Sequence, residues 1–124
     1  MIVAEELEAI EPLWKAGLEE AFIAYQPAAA VHGELLAPRV ALAAALVEVA
    51  LELQCLGFPA PTAPELLRGD LCLARASRLL TDTRDRAIQV SFARAIEELA
   101  AAAAAERALE PTRARLLRAI QKPG

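Results

Sequence analysis

The residues from Leu66 to Leu80 place the strongest constraint on the fold of this chain, because a helical pattern here carries an ionisable residue on its apolar side. At 100° per residue the apolar side chains cover two sides of such a helix: Leu66, Leu73, Ala76 and Leu80 on one, and Leu67, Leu71 and Ala74 on the other. A helix that is apolar over most of its circumference is typical of a buried position. Asp70 projects inside the apolar part, so its carboxyl group must be hydrogen-bonded, paired with a charge or neutral if the helix is central. We expect the rest of the chain to be organised around this helix.

Every long apolar pattern in the chain has a period near 3.6 residues, and no stretch alternates convincingly at a period of two. The sequence therefore predicts an all-α fold, a single domain over residues 1–124 in which four long helices and a short C-terminal helix form a small bundle. The predicted helices are residues 2–25, 38–57, 65–81, a fourth that is capped by residues 81–83 and extends to 105, and 112–121.

Prolines and capping residues set the predicted helix boundaries. Residues 59–64 contain three prolines, and Thr62 with Glu65 matches a capping box at the start of the third helix. Residues 26–37 are bounded by Pro27 and Pro38 and are predicted to be a loop or loose turn. Pro12 either kinks the first helix or occupies the first turn of its second half, and the sequence does not choose between these alternatives.

The predicted second helix is apolar over nearly its whole length, yet it carries Glu48 and Glu52 one turn apart near its middle. Each would cost roughly 2 to 3 kcal/mol in a membrane interior, so we expect a buried bundle helix with one polar stripe and no membrane span. Two carboxylates on one face could perform acid–base or metal chemistry. We favour a wetted stripe or partners for arginines.

Together with Asp70, these glutamates and two arginines of the third helix form the set of candidate buried polar or interface residues: Asp70, Arg75, Arg78, Glu48 and Glu52. We expect Trp14, Phe22 and Tyr25 to pack in the core. We expect Arg113, Arg115 and Arg118 to point outward from the short last helix. We predict no catalytic residue, metal site or cofactor.

Charge is distributed unevenly along the chain. The net charge is −4, which opposes non-specific nucleic-acid binding. Residues 1–67 hold ten acidic and two basic side chains, and residues 68–124 hold seven acidic and eleven basic ones. This asymmetry favours attraction between the halves of one chain or of a dimer, and an anion site in the basic half is the alternative.

Cys55, Cys72 and His32 have no partners at metal-ligand spacing, so neither a zinc site nor a disulfide framework is expected. The acidic N-terminus does not resemble an export leader, and we expect a cytoplasmic location. Hydrophobic residues make up 56% of the chain, many of them alanine, and aromatic residues 4%. Such small side chains leave each helix contact little area, which favours self-association, with a homodimer as the expected form.

A family resemblance lies in the third and fourth predicted helices. Residues 69–76 read Gly-Asp-Leu-Cys-Leu-Ala-Arg-Ala, and residues 93–100 read Ala-Arg-Ala-Ile-Glu-Glu-Leu-Ala. This run of roughly forty residues resembles the Gly-Asp-Tyr-Leu-Leu-Ala-Arg-Ala helix of trans-isoprenyl diphosphate synthases and the helix after it. Upstream, residues 33–38 read Gly-Glu-Leu-Leu-Ala-Pro and are similar to the Gly-Lys-Arg-Leu-Arg-Pro of that family. The resemblance implies part of the isoprenoid synthase fold.

The catalytic parts of that family do not match this chain. The family uses two aspartate clusters that hold magnesium, whereas this sequence has three aspartates, none adjacent to another. Glu34, Leu35 and Ala37 stand where the basic residues would bind diphosphate. The resemblance therefore implies a non-catalytic relative that pairs with itself or acts as the small or regulatory subunit of a prenyl diphosphate synthase. An unrelated helical dimer acting as a scaffold or adaptor is the alternative, and an enzyme using Asp70 with Glu48 and Glu52 is a third reading.

Overall fold

The computed structural model describes residues 11–54, 61–105 and 111–122, and 88% of these residues are helical. Five α-helices account for most of this helical structure. The helices are α1 (Glu19–Ala29), α2 (Ala37–Gln54), α3 (Ala63–Asp82), α4 (Arg86–Ala104) and α5 (Thr112–Gln121). No strand occurs within the described ranges. The prediction of an all-α bundle with four long helices and a short C-terminal one is confirmed.

The central element is α2, and not the helix containing Asp70. From Val40 to Leu51 every side chain of α2 except Leu42 is buried, since α1 packs on one side of it and α3 on another. Five of the buried residues are alanines, which let the neighbouring helices approach closely. The expectation that the chain is organised around α3 is therefore wrong.

Helix α3 buries a single face. That face carries Gly69, Cys72, Ala76 and Leu80, whereas Leu66 and Leu67 are 43% and 61% exposed. Leu66 at the edge of this face, and Leu67 and Leu71 on the opposite side, made the sequence of α3 look apolar over most of the circumference of the helix. The single chain provides a neighbour, α2, for only part of that surface.

The first helical region extends further downstream and is more bent than predicted, and the predicted residues 2–10 lie outside the described residues. Residues 11–13 are helical, a π-helical turn follows at Trp14–Leu18, and the break lies at Gly17, whose φ of 138° suits glycine. The described region thus departs from helical geometry at Gly17, five residues after Pro12.

The loop predicted for residues 26–37 is wrong over its first half. Helix α1 continues through Pro27 to Ala29, and a 3₁₀ turn covers Ala30–His32. A proline inside a helix removes one hydrogen bond and costs about 3 kcal/mol. Tyr25, Ala28 and Ala29 on either side of Pro27 are buried in the core, so tertiary packing favours continuation of the helix here.

The start of α3 agrees with its local sequence signals, but the start of α4 does not. Thr62 accepts a hydrogen bond from the backbone N–H of Glu65, and the Glu65 carboxylate accepts one from the N–H of Thr62, which confirms the capping box. The cap predicted at residues 81–83 is wrong, because Asp85 accepts from the N–H of Ile88. Arg84 adopts a φ of 57° and moves the start of α4 downstream.

Helices α2 and α3 run antiparallel and approach most closely at Gly69. A Cβ at this position would lie 2.5 Å from three side-chain atoms of Gln54. The amide of Gln54 donates hydrogen bonds to the Leu66 carbonyl at 2.7 Å and to Asp70 Oδ1 at 2.8 Å. Gly69 therefore makes room for a side chain of α2 that bonds to α3 on both sides of it.

We expect Gly69→Ala to lower the free energy of unfolding by about 1 kcal/mol, because the new Cβ displaces the Gln54 amide and outweighs the helix propensity gained. In a Gln54→Ala background the same change should instead raise the free energy of unfolding by about 1 kcal/mol, since only the propensity remains. Urea denaturation of the two single variants and the double variant measures this coupling. Additive effects would contradict the packing described for Gly69.

Candidate functional site

The most completely bonded polar group in the core is the carboxylate of Glu48. Glu48 is 7% exposed in the middle of α2. Its Oε1 accepts hydrogen bonds from the Tyr25 hydroxyl at 2.8 Å and from Arg113 Nε at 3.0 Å, and its Oε2 accepts from Arg113 Nη2 at 2.9 Å. Burial of a charged group is tolerated when it is paired and hydrogen-bonded in this way.

Arg113 connects this carboxylate to the first helix. Its Nη1 and Nη2 donate to the two carboxylate oxygens of Glu20 at 2.9 and 2.7 Å, a bidentate arrangement. Its guanidinium carbon lies 5.8 Å from the centre of the Tyr25 ring. We call Glu20, Tyr25, Glu48 and Arg113 the Arg113 cluster. It joins α1, α2 and α5 through one guanidinium group.

Protonation within the Arg113 cluster follows from its contacts. Burial, and then the hydrogen bond to Glu48, raise the pKa of Tyr25 well above its usual value, so the phenol remains neutral. Hydrogen bonds to Glu20 and Glu48 raise the pKa of Arg113, and the hydrogen bond from Arg113 lowers the pKa of Glu20. The cluster thus combines a permanent cation with a phenol that does not ionise, which suits a structural connection between helices.

The two glutamates of the predicted pair have different surroundings. Glu48 faces inward and is bonded, whereas Glu52 is exposed. Partial burial, and then the nearby Glu48 charge, raise the pKa of the Glu52 carboxyl. The preference for arginine partners over acid–base or metal chemistry agrees with the contacts of Glu48.

The remaining candidates lie on α3, outside the Arg113 cluster. Asp70 is exposed in the single chain and accepts the hydrogen bond from Gln54. The burial expected of it is therefore not found within one chain, and its place in an assembly stays a prediction. Arg75 is half-buried and Arg78 is exposed. The structure thus does not bring the five predicted residues together.

Sequence reasoning missed the partners of Glu48. Tyr25 was expected in the core, which is confirmed by its complete burial, but its hydroxyl was given no role. Arg113 and Arg115 were expected to point outward, which is wrong. The Arg113 side chain bonds inward and is 36% exposed, and the Arg115 side chain is 12% exposed and bonds to Glu98. Arg118 is exposed, as expected. The available signal was a carboxylate in an otherwise apolar helix, which requires a buried donor.

The other potential ligands are dispersed. Burial raises the pKa of the Cys72 thiol to about 11, and Cys55 lies outside the described residues. His32 Nε2 lies 2.9 Å from the Ile120 carbonyl, a distance that implies donation from the ring. Within the described ranges, no group of three or more His, Cys, Asp or Glu residues could hold a metal ion. None of the helices in these ranges is long and apolar enough to cross a membrane.

Comparison with known proteins gives no relative for this chain: no family model, no curated protein and no solved structure matches it. The resemblance to trans-isoprenyl diphosphate synthases therefore stays a prediction. The packing of Gln54 gives the Gly69–Asp70 pair a role within the chain, since the glycine admits the amide and the aspartate accepts from it.

We expect Glu48→Gln to lower the free energy of unfolding by about 2 kcal/mol, because it removes the buried negative charge that faces Arg113. Glu52→Gln is the matched control, one turn away and exposed. The pKa of Glu52 is raised in the folded chain, so its ionised form is less favourable there than in the unfolded chain. Ionisation of Glu52 therefore lowers the free energy of unfolding as the pH rises above the usual carboxyl range. The control should therefore be neutral or slightly stabilising at pH 7 and lose any effect at acid pH. Chemical denaturation at two pH values measures both, and equal losses at pH 7 would contradict the assignment.

Proposed function

We propose that this chain is a non-catalytic helical protein that associates with a second copy of itself. The observation that carries the proposal is an apolar groove between α3 and α4, about 310 Å³ in volume. Its floor is Val47 of α2, and its walls include Leu73 and Leu80 from α3 and Phe92 and Ile96 from α4.

The groove exists because α4 packs mainly against α5 and meets α3 less extensively. Leu73 and Ile96 are only partly buried at its edges. Leu66 lies seven residues before Leu73 on the same side of α3 and is 43% exposed, so the apolar surface continues toward the start of the helix. Contiguous apolar surface of this kind is typical of an interaction site.

The charges on the two groove helices favour a second copy as the occupant. Helix α3 carries three acidic and three basic side chains, and α4 carries two of each. A two-fold contact brings each helix against a copy of itself or of its neighbour, and balanced charges avoid net repulsion in both cases. The groove that we call the α3–α4 groove is therefore suited to self-association.

The Arg113 cluster suits a structural role, since the Glu48 carboxylate is buried and is held by three hydrogen bonds from Tyr25 and Arg113. A cytoplasmic location remains part of the proposal. A catalytic prenyl diphosphate synthase subunit as partner rests on the motif resemblance alone, and an unrelated scaffold or adaptor dimer is the alternative within the same proposal.

At micromolar concentration we expect light scattering to give twice the 13.2 kDa mass of one chain. Leu73→Glu should shift the protein to the monomer mass because it places a charge in the lining of the α3–α4 groove, and Leu66→Glu should do so because it places one on the apolar surface that continues from the groove along α3. Leu35→Glu is the matched control: this leucine is 88% exposed and does not line the groove, so the dimer mass should be retained. A wild-type protein at the monomer mass, or dissociation by all three variants alike, would overturn the proposal.

We expect no prenyl transfer from the purified chain with magnesium, isopentenyl diphosphate and an allylic diphosphate, because the three separated aspartates do not form two metal-binding clusters. Radiolabelled product analysis provides the measurement. An elongated product that disappears with Asp70→Asn and persists with Asp82→Asn would refute the non-catalytic assignment.

A further inference from the structure

A second cleft lies between α4 and α5 and has a different chemistry from the α3–α4 groove. It is about 290 Å³ in volume and is lined by four cations, one carboxylate and one hydroxyl: Arg94, Arg115, Arg118, Lys122, Glu98 and Ser91. The chain as a whole carries a net charge of −4, so this concentration of positive charge is local. Neither the Arg113 cluster nor the proposed dimer contact uses it.

The helix contact that forms the cleft is fixed by buried polar bonding. Ser91 is buried, and its hydroxyl donates to the Ala119 carbonyl at 3.0 Å. On α4, Ser91, Arg94 and Glu98 recur at intervals of three and four residues and share one side of the helix. This side differs from the one that carries Phe92 and Ile96 into the α3–α4 groove. The cleft is therefore a defined part of the α4–α5 packing.

Arg115 is the central donor of the cleft. Its side chain is 12% exposed, and its Nε donates to Glu98 Oε2 at 2.7 Å. Among the described residues, Glu98 is the sole acceptor of a hydrogen bond from Arg115. The N–H groups of both Nη atoms therefore have no acceptor among these residues. No buried polar side-chain atom in the described ranges lacks a hydrogen-bond partner, so these Nη groups reach solvent. Glu98 orients the guanidinium and offsets one positive charge, and Arg94 and Lys122 add further positive charge to the lining.

We propose that the cleft between α4 and α5 binds a multivalent oxyanion of the phosphate class, as the free ion or as the phosphate group of a small molecule. The Arg115 guanidinium, which Glu98 holds in place, presents two Nη groups that match the oxygens of a phosphate, and Arg94 and Lys122 add charge around the same space. The volume suits a small ligand and excludes a polymer from the interior. The net negative charge of the chain opposes a nucleic acid in particular.

Isothermal titration calorimetry at low ionic strength, with inorganic phosphate as the probe, tests the proposal. We expect saturable binding to one site per chain that Arg115→Gln weakens by about tenfold or more, the effect of losing a charge-assisted hydrogen bond. Arg94→Gln, which changes an exposed side chain of the same cleft, should weaken binding in the same direction. Arg68→Gln is the matched control, an exposed arginine of α3 outside the cleft, and should leave the affinity unchanged.

A sugar phosphate and the unphosphorylated sugar complete the experiment. Tighter binding of the sugar phosphate than of phosphate identifies a phosphorylated small molecule as the ligand, and equal binding identifies the free ion. Absence of saturable phosphate binding, or equal weakening by Arg68→Gln, would overturn the proposal. So would a loss of the dimer mass in Arg115→Gln without phosphate binding, since the cleft would then serve the contact between copies. The thermal midpoint of each variant verifies that it is folded.

Discussion

The burial of one carboxylate in the central helix is the constraint on which the arrangement of this bundle depends. Helix α2 is covered by its neighbours over most of its length, so Glu48 has no access to bulk water and must be satisfied by the protein. Its partners come from α1 and α5. The alanines of α2 provide close approach but little area, which gives this polar contact greater importance in fixing which helices meet.

Helix α4 contacts both α3 and α5, and the apolar groove and the basic cleft lie on its two sides. Its packing against α5 forms the basic cleft, and its less extensive contact with α3 leaves the apolar groove. One helix therefore contributes to two surfaces of opposite character, one apolar and one basic, for which we propose different partners. In the proposed assembly, an oxyanion would bind beside the dimer contact without occupying it.

Local signals predicted much of the fold, and long-range contacts were beyond their reach. The capping box at Thr62 and the limits of α5 involve neighbouring residues, so the sequence was sufficient. Pro27 was misread because tertiary burial overrides the local helix-breaking effect, and the α4 start was misread because Arg84 adopts a left-handed conformation. Glu48 could be recognised as needing a partner, but Arg113 is 65 residues away and no local pattern identifies it. Asp70 was expected to be buried because apolar residues surround it on the helix. That side of α3 is exposed in the single chain, and so is Asp70.

The span of the Arg113 cluster along the sequence has a consequence for the order in which the chain folds. The bonds between Glu20 and Arg113 connect residues 93 positions apart, whereas α2 and α3 are joined by a short connection. Loop closure disfavours distant contacts until nearer ones have shortened the effective chain. During synthesis Tyr25 and Glu48 leave the ribosome long before Arg113 does. Until the last helix docks, Glu48 lacks the guanidinium that pairs with it, so we expect the docking of α5 to complete the native state.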